Sequence, residues 1–125
     1  MATVLVIEDE EGSAQLIRFK LKSSGLEVII AEDGKAGVDE ARKNKPDLIV
    51  LDVMMPVMNG LDVLAQLRAD PEFKSTPIIL LTAQSTEKEM IRGFELGAAD
   101  YITKPFNTNV FVARVKALLS RYQKS

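Results

Sequence analysis

Five side chains of reactive type stand at the ends of short apolar runs in this sequence. Glu8 and Asp9 follow the run at residues 4–7, Asp52 follows 48–51, Thr82 follows 78–81, and Lys104 comes two residues past the run at 101–102. Three carboxylates brought together repel one another and need a counter-charge at neutral pH. A hard divalent cation supplies it. Mg²⁺ typically takes one or two carboxylates and keeps several of its waters. The backbone carbonyl of Met54, two residues past Asp52, is a further candidate oxygen ligand. Each residue also has a plainer role. Residues 8–11 make an acidic helix start that a helix dipole favours, Asp52 a turn former, and Thr82 a β-branched strand residue. The coincidence of the acids at one predicted edge is what favours a metal site. Lys104 among them is either a counter-charge or a point charge for a phosphoryl oxygen. The Thr82 hydroxyl is a donor for a bound anion.

These residues need a frame that gathers them. The apolar runs at 4–7, 28–31, 48–51, 78–81 and 101–102 are rich in Val, Ile and Leu and do not alternate with polar residues. Strands buried on both faces have this look. Between them lie amphipathic stretches of helical length. Ala14, Ile17 and Leu21 share a face, and Gly25 follows as a left-handed stop. Gly37, Val38 and Ala41 form the second stripe, ended by Pro46; Leu61, Leu64 and Leu67 the third. Ile91 and Phe94 form the fourth, before Gly97, and Phe111, Val115, Leu118 and Tyr122 the fifth. Five strand–helix alternations predict an α/β fold: an open, doubly wound, five-stranded parallel sheet with five helices. Ligands in such sheets bind beyond the carboxyl ends of the strands, which is where all five reactive residues fall. In the loop after Asp52, Asn59-Gly60 is a turn signal. The three Met residues there (54, 55 and 58) are gap-fillers or a soft surface.

Composition narrows the chemistry further. At 125 residues the chain has room for one domain with a real core, given 46% hydrophobic residues. Residues 1–125 are expected to be that single domain, with no output domain. With 16 Lys+Arg against 18 Asp+Glu, the net charge of −2 gives no general attraction to nucleic acid or to anionic membranes. There is no Cys and no His. That excludes disulfides, thiolate or imidazole zinc sites, and Ser-His-Asp or Cys-His catalysis. No leader segment or apolar stretch of membrane-spanning length is present, so a cytoplasmic location is expected.

Four short pieces in order, VLVIEDE, DLIVLDVMMPVMNG, IILLTAQ and ADYITKPF, cover essentially the whole chain. Together they resemble the receiver domain of two-component response regulators, with its flavodoxin-like fold. The resemblance implies that Asp52 accepts a phosphoryl group from a sensor histidine kinase or phosphotransfer protein. It implies Mg²⁺, with Mn²⁺ able to substitute, held by Asp9, Asp52, the Met54 carbonyl and Glu8 partly through water. Lys104 would pair with one phosphoryl oxygen and Thr82 would hydrogen-bond another, with Ala83 leaving room. Tyr101 would swing inward as Thr82 moves, and the Lys104–Pro105 peptide would be cis. Met54 and Gln84 would flank the path of the water that removes the phosphoryl group. The protein would catalyse only its own phosphorylation and dephosphorylation.

The stretch RGFELGAADYITKPF is most similar to receivers of winged-helix DNA-binding regulators, which dimerise through the fourth helix, fifth strand and fifth helix. Glu95, Asp100, Arg114 and Lys116 match charged positions of that surface, whereas Met90, Ala99 and Val110 depart from it. Met90 and Val110 fall where an opposite-charge pair is usual. The output would be a downstream protein target or a self-dimer, with no direct nucleic-acid or membrane binding by this chain. Two other readings stay open. One is a receiver-like interaction module that works without phosphorylation. The other is a small Mg²⁺-dependent phosphatase with an aspartyl nucleophile, although no second acid stands two residues past Asp52. A nucleotide-binding reading is disfavoured by the absence of G-x-x-x-x-G-K.

Overall fold

The structure is a computed structural model that describes residues 1–83 and 86–122. Strands and helices alternate in the order β1 (Thr3–Ile7), α1 (Glu11–Ser23), β2 (Glu27–Ala31), α2 (Gly34–Asn44), β3 (Leu48–Asp52), α3 (Gly60–Ala69), β4 (Ile78–Thr82), α4 (Glu87–Glu95), β5 (Asp100–Thr103) and α5 (Thr108–Tyr122). One 3₁₀ turn, Pro71–Phe73, comes after α3. All strands are parallel, in the order β2-β1-β3-β4-β5. The winding therefore reverses between β1 and β3. That reversal is the topological switch point at which doubly wound sheets bind ligands. Ile7 is in register with Leu51, so Glu8 and Asp52 stand side by side at the crevice.

The unbroken apolar strands follow from burial on both faces. Leu5, Ile7, Ile49, Leu51, Ile78 and Leu80 pack on one face with Val38, Ala41, Val63 and Leu67 of α2 and α3. Val4, Val6, Leu48, Val50, Ile79 and Leu81 pack on the other with Ile17, Leu21, Phe111 and Val115 of α1 and α5. Each such side chain contributes roughly 1.5–3 kcal/mol on leaving water. The strand ends are thus held rigidly, and so are the polar residues attached to them.

Side-chain caps start the helices. The Glu10 carboxylate accepts from Ser13 N–H at 2.9 Å, Asp33 from Ala36 at 2.8 Å and Asn59 from Asp62 at 3.1 Å. Each satisfies an N–H that the helix itself leaves unpaired. Gly25, at φ 87°, turns the chain out of α1. Asn59-Gly60 is not a free-standing turn: Asn59 caps α3 and Gly60 is its first residue.

Two expected stripes are corrected. Ile91 and Phe94 are about half exposed, and the fully buried residue of α4 is Gly93. The cause is close approach: a Cβ on Gly93 would come within 2.7 Å of Leu80 Cδ1. The helix backbone itself touches the sheet there, and the large side chains flank the contact. In α5 the buried stripe ends at Leu119, and Tyr122 is nearly half exposed.

Candidate functional site

Glu8 lies one residue past β1 and Asp52 is the last residue of β3; they are 2% and 4% exposed. Asp9 beside them is open to solvent. One carboxylate oxygen from each of the three can be chosen so that all lie within 4.8 Å of one another. Lys104, just past β5, reaches over from the far side. Its Nζ donates to Glu8 Oε1 at 2.6 Å and lies 3.6 Å from Asp52 Oδ2. The backbone of Lys104 is fixed by its N–H, which donates to the Thr82 carbonyl at 2.6 Å. The Met54 N–H donates to Asp52 Oδ1 at 3.0 Å and so sets the rotamer of the acid. Glu8 is held similarly, by the Glu10 N–H on Oε2 at 3.3 Å.

The charges in this crevice are unequal. Burial alone would raise Glu8, but hydrogen bonds from Asp52 and Lys104 override it and hold Glu8 at about 2. Asp52 goes the other way. Burial first, then the Glu8 carboxylate against it, push Asp52 up to about 7, against the pull of the Met54 N–H and Lys104. Burial works against the Lys104 ammonium, yet Glu8 and Asp52 together raise it. Glu8 is therefore ionised at neutral pH, whereas Asp52 keeps its proton far above the usual carboxylate range, with one ammonium against the two. The donor set is all oxygen and crowded, and it fits a hard divalent cation at Glu8, Asp9 and Asp52.

The remaining residues singled out in the sequence are spread around this crevice. Thr82 is fully buried at the end of β4, and Ala83 after it is exposed. Pro105 is exposed and the Lys104–Pro105 peptide is cis. The Gln84 position lies outside the described residues. Met54 is half exposed at the rim of the crevice, whereas Met55 is buried and Met58 packs partly into the core. Tyr101 is expected to swing inward as Thr82 moves, and this structure describes one position of its ring. The ring is inside, 6% exposed and 6.3 Å from the Phe94 ring, centroid to centroid. It lies beside Gly93, where a Cβ would meet it at an ordinary 3.5 Å. Its hydroxyl is buried and has no hydrogen-bond partner among the described residues.

On the surface of α4, β5 and α5, Met90, Glu95, Val110, Arg114 and Lys116 are all exposed. Asp100 is half-buried and already engaged: its Oδ1 accepts from Tyr101 N–H at 2.8 Å and lies 3.4 Å from Arg114 Nη1 of the same chain. Sequence reasoning missed Gly60. A Cβ there would collide with the Asp52 carbonyl oxygen and lie 2.7 Å from Val53 Cα. The Gly60 N–H also donates to the Val53 carbonyl at 2.8 Å. The start of α3 thus presses directly on the backbone of the acidic residue. The Asn-Gly pair is the visible signal, but it speaks of turn tendency rather than of close approach.

Comparison with known proteins agrees with this geometry. Residues 4–116 match the family model of the response regulator receiver domain. The chain is 47% identical over 118 residues to the alkaline phosphatase synthesis transcriptional regulatory protein PhoP of Bacillus subtilis, covering 94% of this chain and 48% of that protein. It thus spans about half the length of that relative. Among solved structures, the receiver domain of the Francisella response regulator 1452 superposes with a TM-score of 0.91 at 35% identity, covering 98% of this chain and all of that one. The chemotaxis protein CheY4 of Vibrio cholerae superposes with a TM-score of 0.90 at 32% identity, over 94% of this chain and 98% of that one. With five parallel strands, five helices and an acidic crevice at the switch point, this chain belongs to the response regulator receiver domain family.

Proposed function

We propose that the chain is a phosphorylation-driven switch in which Asp52 accepts a phosphoryl group from a histidine kinase or phosphotransfer protein. The observation that carries this reading is the crevice itself: Glu8, Asp9 and Asp52 within 4.8 Å of one another, with Lys104 closing one side. Asp52 first gives up its proton to solvent; one oxygen of the resulting carboxylate then attacks phosphorus, and the bond from phosphorus to the donor nitrogen or oxygen breaks as the new P–O bond forms. A bound Mg²⁺ or Mn²⁺ would offset charge on the transferring group, which is most of the catalytic task in such transfers. Lys104 would exchange part of its contact with Glu8 for a phosphoryl oxygen. Thr82, at the adjacent strand end, would hydrogen-bond another, in the space that the small Ala83 leaves. Met54, at the rim, would hinder the water that later removes the phosphoryl group. The chain would act on no substrate beyond its own phosphorylation and dephosphorylation.

The added group brings about two negative charges and several strong acceptors. That charge would bias the segment from Thr82 through α4 to Tyr101 between two arrangements, and a partner that prefers one of them would read the signal. The exposed surface of α4, β5 and α5 is where a protein target or a second copy would dock. The similarity to a transcriptional regulatory protein supports control of gene expression as the output in a longer chain.

Intact mass spectrometry after incubation with Mg²⁺ and acetyl phosphate tests this reading. The parent should gain the mass of one phosphoryl group and Asp52→Asn none. Chelating the metal should abolish the gain. No gain in the parent with any acyl-phosphate or kinase donor would favour an interaction module that works without phosphorylation. Steady hydrolysis of external phosphomonoesters would favour a phosphatase.

A further inference from the structure

Helix α4 is attached to the domain at one end. Residues 87–92 contribute no fully buried side chain. Attachment begins at Gly93, against Leu80, and continues with Phe94 beside Tyr101 and Leu96 against the core. It ends on a built polar contact. Gly97 turns the chain at φ 102°, and Arg68, in the last turn of α3, reaches across to it. Arg68 Nη2 and Nε donate to the Gly97 carbonyl at 2.9 and 3.2 Å, while Nη1 donates to the Phe73 carbonyl at 2.5 Å. One planar fork thus ties three separate segments by charge-assisted hydrogen bonds. The fit leaves no slack, because a Cβ on Gly97 would lie 2.9 Å from Arg68 Nε. The helix that carries Arg68 starts at Gly60, hard against the Asp52 carbonyl. Helix α3 is therefore a strut between the backbone of Asp52 and the C-terminal end of α4.

We infer that Arg68 is the anchor of α4: it fixes the C-terminal end of the helix, so that any rearrangement of α4 is a pivot about Gly97 with its amplitude at the N-terminal end, beside Thr82. The pivot rests on the phosphorylation switch proposed above, whereas the anchor does not. With Arg68 removed, the C-terminal end of α4 keeps its apolar contacts at Gly93, Phe94 and Leu96 but is no longer fixed at Gly97.

Amide hydrogen exchange on the metal-free chain tests the anchor. Arg68→Ala should speed exchange at Ala98 and Ala99 by about tenfold or more, the size expected for losing hydrogen bonds to a charged group. Amides of β1 and β3 should keep their parental rates. Arg68→Lys, whose point charge does not span both carbonyls, should fall between. A rise of the same factor throughout the sheet would reduce Arg68 to a contributor to global stability and overturn the anchor, as would no rise at all. The pivot is then read from backbone NMR shifts on adding Mg²⁺ and beryllium fluoride, a phosphoryl mimic. In the parent they should be largest at residues 86–90 and small at 97–98; in Arg68→Ala they should extend through Gly97. Equal shifts at both ends of α4 in the parent would overturn the pivot. If the mimic shifts nothing in α4, the switch reading fails, and the exchange result alone decides the anchor.

Discussion

The Lys104 ammonium is hydrogen-bonded to Glu8, at 2.6 Å, and stands further from Asp52, at 3.6 Å. The lysine therefore mainly neutralises the acid that stays ionised, and Asp52 becomes the reactive carboxylate only once its own proton has left. Replacing Lys104 by Gln removes the positive charge that contacts these two buried acids. Breaking a buried pair costs about 3–5 kcal/mol, and the partial exposure of the ammonium discounts this to about 1–3 kcal/mol. Chemical denaturation in EDTA should show that loss, and added Mg²⁺ should recover part of it. Equal stability of parent and variant in EDTA would mean that the contact carries no weight.

The raised value of Asp52 has a consequence for pH. The folded chain keeps a proton on Asp52 that the unfolded chain releases near 3.8, so stability falls as pH rises from about 4 to about 7 and is level above that. Asn makes no such demand. In metal-free buffer above about pH 7, Asp52→Asn should be more stable than the parent by about 1–2 kcal/mol. The advantage should fade towards about pH 4 and shrink when Mg²⁺ binds the parent. Urea midpoints across this pH window measure it, and a gain that grows as pH falls would have the wrong sign.

Gly60 has a positional role that a methyl group should expose. With a Cβ pressed into the Asp52 carbonyl oxygen, Gly60→Ala forces the backbone of the crevice or of α3 to move. The expected cost is about 1–3 kcal/mol, with phosphorylation by acetyl phosphate slowed as well. Gly12→Ala is the control. Its Cβ would meet only the Glu10 carboxylate, at 3.1 Å, and in α1 it should be neutral or mildly stabilising. Thermal melts and phosphorylation rates of the two variants should diverge accordingly.

Met54 is half exposed at the rim of the site, and on the proposed reading its side chain would screen a phosphorylated Asp52 from water. Met54→Asn replaces an apolar screen with a group that can hold water. Decay of the phosphorylated form, followed by intact mass after donor removal, should be several-fold faster in the variant, about tenfold for each 1.4 kcal/mol of barrier removed. An unchanged decay rate would remove Met54 from any role in lifetime.

The sheet and the acidic crevice were legible in the sequence for one physical reason. Strands buried on both faces leave unbroken apolar runs, and in a parallel sheet the residues just past those runs emerge at one edge. Glu8, Asp52, Thr82 and Lys104 could be placed from that rule alone. Contacts made by absent atoms stayed hidden. Gly60 and Gly93 let backbones touch where pattern reading looks for large side chains, so α4 was assigned an Ile91–Phe94 stripe that in fact stays about half exposed. Arg68 was equally invisible, since a guanidinium that caps the carbonyls of Phe73 and Gly97 reads in sequence as one more surface charge. The packing of Tyr101 against Phe94 carries no local sequence signal, and so it too waited on the structure.

The central claim is that the crevice makes Asp52, and no other residue, the acceptor. Hydride reduction of an aspartyl phosphate leaves homoserine in its place. Borohydride trapping after incubation with Mg²⁺ and acetyl phosphate, followed by peptide mapping, reads the acceptor directly. The account predicts conversion at residue 52 alone, and none once the metal is chelated. Conversion at Glu8 or Asp9, or phosphoryl groups found on a hydroxyl residue while Asp52 stays intact, would contradict it.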